Sequence, residues 1–268
     1  SEGYDFLGLM TGSEGLLGVI TEVTVKILRK PEIVKTALVG FSSIDDAGNC
    51  VSQIIASGCI PAGMEIMDKA LTKATDDHVK AGYPTDAEAM MIVEFDGTES
   101  EVNEYMEKVK SISIKNKSSS FKISKSEDDR KRFWAGRKAA FPACGVLAPD
   151  YLCMDGSIPR SKLAEVLKEI NRLSKKYNLP VANAFHAGDG NLHPLIMFDA
   201  NDKESLRKTE EFGAEILKYC VKVGGALTGE HGVGIEKREL MCEAFNDKDI
   251  QQQIKIKLSL DPNSLLIL

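Results

Sequence analysis

Apolar residues along this chain recur with a period of about 2 in some stretches and about 3.6 in others, and each change of period marks an element. After glycines at 12, 15 and 18, Val19 to Leu28 alternates apolar with polar side chains and predicts a half-buried strand. Thr36 to Phe41 predicts a strand, Asp45 to Ala56 a helix, Glu88 to Phe95 a second strand, Glu101 to Ile112 a helix, and Phe121 to Ile123 a short strand. Asp128 to Ala140 predicts a helix with a charged start, stopped at Phe141-Pro142 because proline cannot continue the hydrogen-bond ladder. A strand over Leu152 to Met154 precedes an amphipathic helix, Lys162 to Tyr177, which Asn178 and Pro180 terminate. Val181 to Phe185 and Leu195 to Phe198 read as strands around a Gly188-Asp-Gly190 reversal. Two further helices follow, Glu204 to Val223, ended by Gly224-Gly225, and Asp247 to Leu258. Strands alternating with helices would fit a parallel α/β sheet, but the hairpin and the short connections favour an α+β fold. The expected architecture is an antiparallel sheet with helices packed mainly on one face, its strand-helix-strand units suiting two ferredoxin-like halves.

Composition narrows the function classes. With 34 basic against 40 acidic residues, a net charge of -6 and no basic block, the chain lacks the electrostatic footprint of a nucleic-acid binder. At 268 residues and 43% hydrophobic it can bury a sizeable core, as one large domain or two small ones. No apolar run approaches the roughly 18 to 20 residues that span a bilayer, and no signal-like segment opens the chain. The six cysteines form no C-x-x-C pair and read as reduced thiols of a cytoplasmic protein. Ser1-Glu-Gly-Tyr-Asp lacks an initiator methionine and runs at once into the glycine segment, so the chain reads as a fragment of something larger.

Three of the four histidines lie in two glycine-dense turns. His186 and His193 bracket Gly188-Asp-Gly190, and Glu230-His231 sits in Gly-Glu-His-Gly. A tight reversal would bring both imidazoles to one end of a hairpin, where Glu230 would add an anionic ligand, Asp189 would orient a ligand from behind, and His231 would serve as general base. Imidazole nitrogen with carboxylate oxygen suits zinc or another first-row divalent ion with open positions. A metallohydrolase, a redox site that borrows an organic cofactor, and a module with a structural ion all remain compatible. Arg137, on a helix beside the only tryptophan, offers a fork that can hold a carboxylate, although most such arginines are solvated or pair with a neighbour such as Asp129. His78, Lys138 and the basic cluster Arg130 to Arg132 read as solvated positions.

These motifs carry a family resemblance. Thr11-Gly-Ser-Glu-Gly-Leu-Leu-Gly-Val-Ile-Thr21 resembles the end of the FAD-binding domain of vanillyl-alcohol-oxidase type flavoproteins, and His186-x-Gly-Asp-Gly-Asn-x-His193 with Gly229-Glu-His-Gly232 resembles their C-terminal cap domain. Ile60 to Asp68, Ala81 to Pro84 and Tyr151 to Pro159 bring the chain nearest to the FAD-linked subunits of the glycolate oxidase and D-lactate dehydrogenase family. The resemblance implies that residues 1–31 are a remnant of the FAD-binding domain and residues 32–268 the substrate- and metal-binding cap. It implies oxidation of a small 2-hydroxy acid, with His186, His193 and Glu230 on a divalent metal, zinc first and manganese or iron as alternatives. His231 would then be the base and Arg137 the grip on the substrate carboxylate, while Gly12, Glu14, Gly15, Gly18 and Ile20 would touch an FAD held mostly by an absent N-terminal domain.

Electrons would pass to a quinone, an electron-transfer flavoprotein or partner subunits, FAD-binding and iron-sulfur subunits among them, with any membrane association peripheral and through those partners. Three departures qualify the match. Without the N-terminal FAD region the chain is expected to be inactive alone. Its ending, Asp261-Pro-Asn-Ser-Leu-Leu-Ile-Leu268, lacks the Asn-Pro-Gly-Lys that usually follows in relatives. Cys153 stands where relatives that handle a second carboxylate tend to carry a basic residue, which favours a monocarboxylate such as glycolate or D-lactate.

Overall fold

A computed structural model describes residues 3–266. The expectations about the extreme ends, at Ser1-Glu2 and Ile267-Leu268, lie outside those residues. In chain order the strands are β1 (Ile33–Phe41), β2 (Gly63–Asp68), β3 (Ala89–Gly97), β4 (Ser118–Ile123), β5 (Asp150–Cys153), β6 (Gly156–Ser157), β7 (Val181–His186) and β8 (Asn191–Phe198). The helices are α1 (Phe6–Met10), α2 (Ile44–Ala56), α3 (Lys69–Val79), α4 (Glu99–Lys115), α5 (Glu127–Lys138), α6 (Ala140–Ala143), α7 (Leu163–Tyr177), α8 (Lys203–Lys222), α9 (Met241–Ala244) and α10 (Asp247–Leu260).

The strands form one sheet in the order β4-β1-β3-β2-β7-β8-β5, with β6 also on β8, and every pairing is antiparallel. The first half, β1-α2-β2-β3-α4-β4, is a complete ferredoxin-like unit. The second repeats the pattern with β5, α7, β7, β8 and α8, and its last strand is reduced to one bridge between Ser157 and Ala226. The two units meet where β2 pairs with β7.

Both faces of the sheet are covered, unequally. Val39, Ile66, Met91, Val93, Phe185 and Ile196 belong to the larger core, beneath α2, α4, α7 and α8. Leu38, Met67, Met90, Ile92, Ala184 and Leu195 face the other way, into a smaller core under α3, α5 and α6. Burial on both sides explains why Met90-Met91-Ile92-Val93 is apolar without alternation. The smaller cover leaves room on the second face for the polar residues described below.

Three expectations require correction. Val19 to Leu28 forms no strand: it pairs with no strand among the described residues, and Val19, Val23, Val25, Ile27 and Leu28 are exposed. Pro142 does not end the helical path. The chain turns after α5 and restarts as α6 with Pro142 in its first turn, where the missing N–H costs nothing. β2 was not among the expected strands, since Glu65 interrupts a short apolar run that follows Pro61.

Candidate functional site

The hairpin of β7 and β8 sets the site. Ala184 pairs with His193 and His186 with Asn191, so both imidazoles project from one face of the sheet. Glu65, directly opposite His186 on β2, shares that face. The turn between the strands relies on Gly190 at φ 77°, where a Cβ would lie 2.2 Å from the Ile158 carbonyl oxygen. Glu230 reaches in from the loop after α8. Its Oε1 lies 3.0 Å from His193 Nε2, 3.5 Å from His186 Nε2 and 3.6 Å from His231 Nε2. Ligand atoms of His186, His193 and Glu230 all fall within 4.8 Å of one another, so the structure brings together the three residues expected to hold an ion.

The protonation of the pair is asymmetric. Burial, reinforced by the nearby His186, lowers the His193 imidazole to about 4, so it is neutral in ordinary conditions. Glu65 raises the His186 imidazole above its ordinary value by a 2.8 Å contact to Nδ1, against the effect of its burial. His231 stacks on His193 with ring centroids 5.1 Å apart and is about half exposed, which leaves it open to a reactant. Phe141 closes the other side of His193 edge-on.

Asp155, fully buried just beyond β5, organises the loop that carries Glu230 and His231. Its carboxylate accepts from the backbone N–H groups of Gly229 (3.1 Å), Glu230 (3.1 Å) and His231 (2.9 Å), and from the Thr228 hydroxyl at 2.6 Å. Asn191 Nδ2 donates at 2.7 Å, and the buried Lys237 ammonium at 3.1 Å. Burial alone would push this carboxyl up, but the Thr228, Asn191, His231 and Lys237 donors together hold it far below the usual carboxylate range. The loop presses so close that a Cβ on Gly229 would sit 1.5 Å from Asn191 Nδ2. Neither Asp155 nor Lys237 was legible beforehand, because one acid in Met154-Asp-Gly and one lysine in Glu236-Lys-Arg carry no distinguishing spacing.

Arg137 is neither solvated nor paired with Asp129, whose carboxylate takes Arg132 at 2.6 Å. In the last turn of α5 it is 7% exposed and donates from Nε to Glu65 Oε2 at 3.0 Å. Its Nη2 is buried with no hydrogen-bond partner. Trp134, one turn earlier, ties α5 to the sheet by donating to Glu94 at 2.6 Å, and Arg130 joins the same carboxylate. Cys153 lies beside the histidines, with Sγ 3.9 Å from His193 Nδ1 and its thiol pushed up to about 12 by burial. Asp189 has a different place from the one expected. It lines a cleft with Ser52, Ile158 and Arg160, and among the described residues its carboxylate makes no hydrogen bond to either histidine. Glu65 occupies the orienting position behind His186 instead.

The opening segment folds against the same loop. Met10, Gly12, Ser13, Glu14, Gly15, Gly18, Val19 and Ile20 line one shallow pocket. Glu14 accepts from the N–H groups of Val233 (2.8 Å) and Gly234 (3.1 Å), so its carboxylate fastens this segment beside Glu230 and His231.

Comparison with known proteins places this geometry among relatives. The family model for FAD linked oxidases, C-terminal domain, matches residues 30–266. The glycolate oxidase subunit GlcD of Escherichia coli (strain K12) is 52% identical over 266 residues, 99% of this chain and 53% of that protein. The GlcD subunit of Bacillus subtilis (strain 168) is 36% identical, covering 98% and 56% respectively. The mitochondrial D-lactate dehydrogenase (cytochrome) of Arabidopsis thaliana is 32% identical, covering 98% and 47%. The chain thus spans about half the length of the curated relatives it matches. Among solved structures, alkyldihydroxyacetonephosphate synthase superposes with a TM-score of 0.65 at 17% identity, over 99% of this chain and 49% of that one. p-Cresol methylhydroxylase gives 0.66 at 14% identity, over 88% and 52%. At these identities the likeness establishes the fold alone.

Proposed function

Since the chain belongs to the family of FAD linked oxidases, C-terminal domain, we propose that it forms the substrate-binding wall of an FAD-dependent 2-hydroxy acid oxidoreductase. The substrate is a small monocarboxylate, glycolate or D-lactate, and the product is the 2-oxo acid. One observation carries the reading: a convergent His186–His193–Glu230 set stands close to a buried arginine with an unused donor, joined to it through Glu65. Relatives named glycolate oxidase and D-lactate dehydrogenase point the same way.

The residues fit a divalent ion. Two imidazole nitrogens and one carboxylate oxygen converge within 4.8 Å, a donor set that suits zinc, manganese or iron and leaves coordination positions open. A bound ion supplies Lewis acidity that favours the alkoxide of the α-hydroxyl. FAD supplies the hydride acceptor. The chain's own residues do the rest. Arg137 binds the substrate carboxylate through its unpartnered Nη groups while Nε stays on Glu65. His231 accepts the hydroxyl proton at Nε2, the nitrogen that faces Glu230. The α-carbon loses its hydrogen as hydride, so proton and hydride together leave the 2-oxo acid.

Residues 1–31 serve as the end of the FAD-binding domain and residues 32–268 as the cap, with Gly12, Glu14, Gly15, Gly18 and Ile20 forming the part of the flavin site that this chain contributes. The reduced flavin passes its electrons to partner subunits, an iron-sulfur subunit among them, or to quinone, and GlcD is itself described as a subunit. No helix among the described residues is long and apolar enough to cross a membrane. All six cysteines are unpaired, which suits the reducing cytoplasm.

A substrate panel of glycolate, D-lactate, L-lactate and 2-hydroxyglutarate on the FAD-containing protein tests the assignment. Flavin bleaching by glycolate or D-lactate supports it. Ester or amide turnover without flavin would redirect it to hydrolysis. Arg137→Lys is expected to raise KM for the substrate about 10- to 100-fold, because a charge-assisted hydrogen bond contributes roughly 1.5–3 kcal/mol and lysine has no fork. An unchanged KM would remove Arg137 from the substrate site. Acid should also displace the ion. Of the two imidazoles His186, which is raised, protonates before His193, which is lowered, so retention begins to fall above the ordinary imidazole value of about 6.5 and is lost as pH drops below it. Metal content after dialysis on either side of that pH reads this out, and equal content at pH 8 and pH 5 would exclude histidine ligation.

A further inference from the structure

Glu65 joins two groups to which the proposed mechanism gives separate tasks. On β2, with only 7% of its surface exposed, it places Oε1 2.8 Å from His186 Nδ1 and receives Arg137 Nε on Oε2 at 3.0 Å. Cross-strand pairing of Glu65 with His186 fixes the first contact, and α5, pinned to β3 by Trp134 and Arg130 on Glu94, fixes the second.

We propose that Glu65 is a positioning residue that holds His186 as its Nδ1–H tautomer with one carboxylate oxygen while it holds the Arg137 guanidinium with the other. Donor and acceptor counts fix this tautomer. An ionised carboxylate only accepts, so the nitrogen facing it must carry the proton. A neutral His186 then presents the lone pair of Nε2 toward Glu230 Oε1, 3.5 Å away. Two acceptors facing each other at that distance favour a cation between them. The same carboxylate holds the arginine fork by Nε and leaves its Nη groups without a hydrogen-bond partner. One residue therefore sets which nitrogen of His186 can ligate and holds Arg137 by Nε, so that its Nη groups are left for an anion. This inference rests on the ligand role of His186 and the carboxylate role of Arg137 given above.

Glu65→Gln isolates the effect at nearly constant volume. Its amide oxygen must stay on the Arg137 N–H, so its NH2 group faces His186 Nδ1 and turns that nitrogen into an acceptor. The imidazole proton then moves to Nε2, where it blocks ligation. In metal-free, FAD-containing protein labelled with 15N-histidine, at about pH 9, well above the ordinary imidazole value of about 6.5, the His186 signals should report Nδ1–H in the wild type and Nε2–H in Glu65→Gln. His186→Gln provides the assignment. In parallel, Zn2+ affinity measured against a chromophoric chelator should fall about 10- to 100-fold in Glu65→Gln, the usual effect of losing such an orienting partner.

A wild-type His186 protonated on Nε2 overturns the proposal without recourse to any variant. So does a Glu65→Gln protein that keeps both the Nδ1–H tautomer and wild-type Zn2+ affinity. A wild-type protein that takes up no Zn2+ would overturn the ligand assignment of His186, while the tautomer in that same sample still decides the role of Glu65.

Discussion

His193→Ala in the FAD-containing protein is expected to abolish retention of the divalent ion and to slow flavin reduction by glycolate or D-lactate about 1,000-fold or more. His193 is the most enclosed of the three ligands, 1% exposed between His186, His231 and Phe141, so water cannot readily replace it in the same geometry. Its low basicity keeps Nε2 available at neutral pH. Metal Lewis acidity contributes several kcal/mol to stabilising a developing alkoxide, and about 4 kcal/mol corresponds to the stated rate loss. Metal analysis and anaerobic stopped-flow absorbance check the two parts. A variant that loses the ion yet reduces flavin at the wild-type rate would show that the ion has no catalytic role.

Asp155→Ala is expected to lower the melting temperature by on the order of 10 °C. Removing one partner of a buried ion pair costs roughly 3–5 kcal/mol, and for a chain of this size each kcal/mol shifts the midpoint by about 2–4 °C. The loss has two sources. Lys237 would keep a buried charge without its carboxylate, and the N–H groups of Gly229, Glu230 and His231 would lose their acceptor. Because Glu230 and His231 hang from those groups, activity should fall even below the melting transition, and hydrogen exchange at residues 229–231 should rise first. The pH dependence has a definite sign. A carboxyl held below its unfolded value of about 3.9 stabilises the fold above that pH and loses its contribution as pH falls below it. Differential scanning calorimetry at pH 7 and pH 3 should therefore show the wild type approaching the variant in acid. An Asp155→Ala protein that melts with the wild type at neutral pH would contradict this account of the loop.

Much of the architecture was legible because it depends on local periodicity. The helices at α2, α4, α7 and α8 bury one continuous stripe each, and the strands at β1, β3, β7 and β8 are bounded by turns with strong residue signals. The antiparallel sheet of two related halves followed from the hairpin. β2 escaped because Glu65 faces inward and breaks its apolar pattern, where it meets Arg137 and His186. The alternation of Val19 to Leu28 misled for the opposite reason. Its period is that of a strand, but a strand needs a neighbour, and sequence periodicity does not record one.

The site divided along the same line. His186, His193, Glu230 and His231 were recognisable because histidine is scarce here and lies among glycines. Arg137 was indistinguishable from its charged neighbours until α5 was seen to bury it. Glu65 meets Arg137 and His186, and Asp155 meets Glu230 and Lys237, across 72 to 121 positions in sequence, through contacts that only the folded sheet creates.

A divalent ion held by His186, His193 and Glu230 should be required for flavin-dependent oxidation of a 2-hydroxy acid. Anaerobic flavin reduction by glycolate and by D-lactate, followed in chelator-stripped and in Zn2+-, Mn2+- or Fe2+-reloaded FAD-containing protein, tests it most directly. Stripping should abolish reduction, and one equivalent of at least one of these ions should restore it. Reduction at full rate in the stripped protein would contradict that requirement.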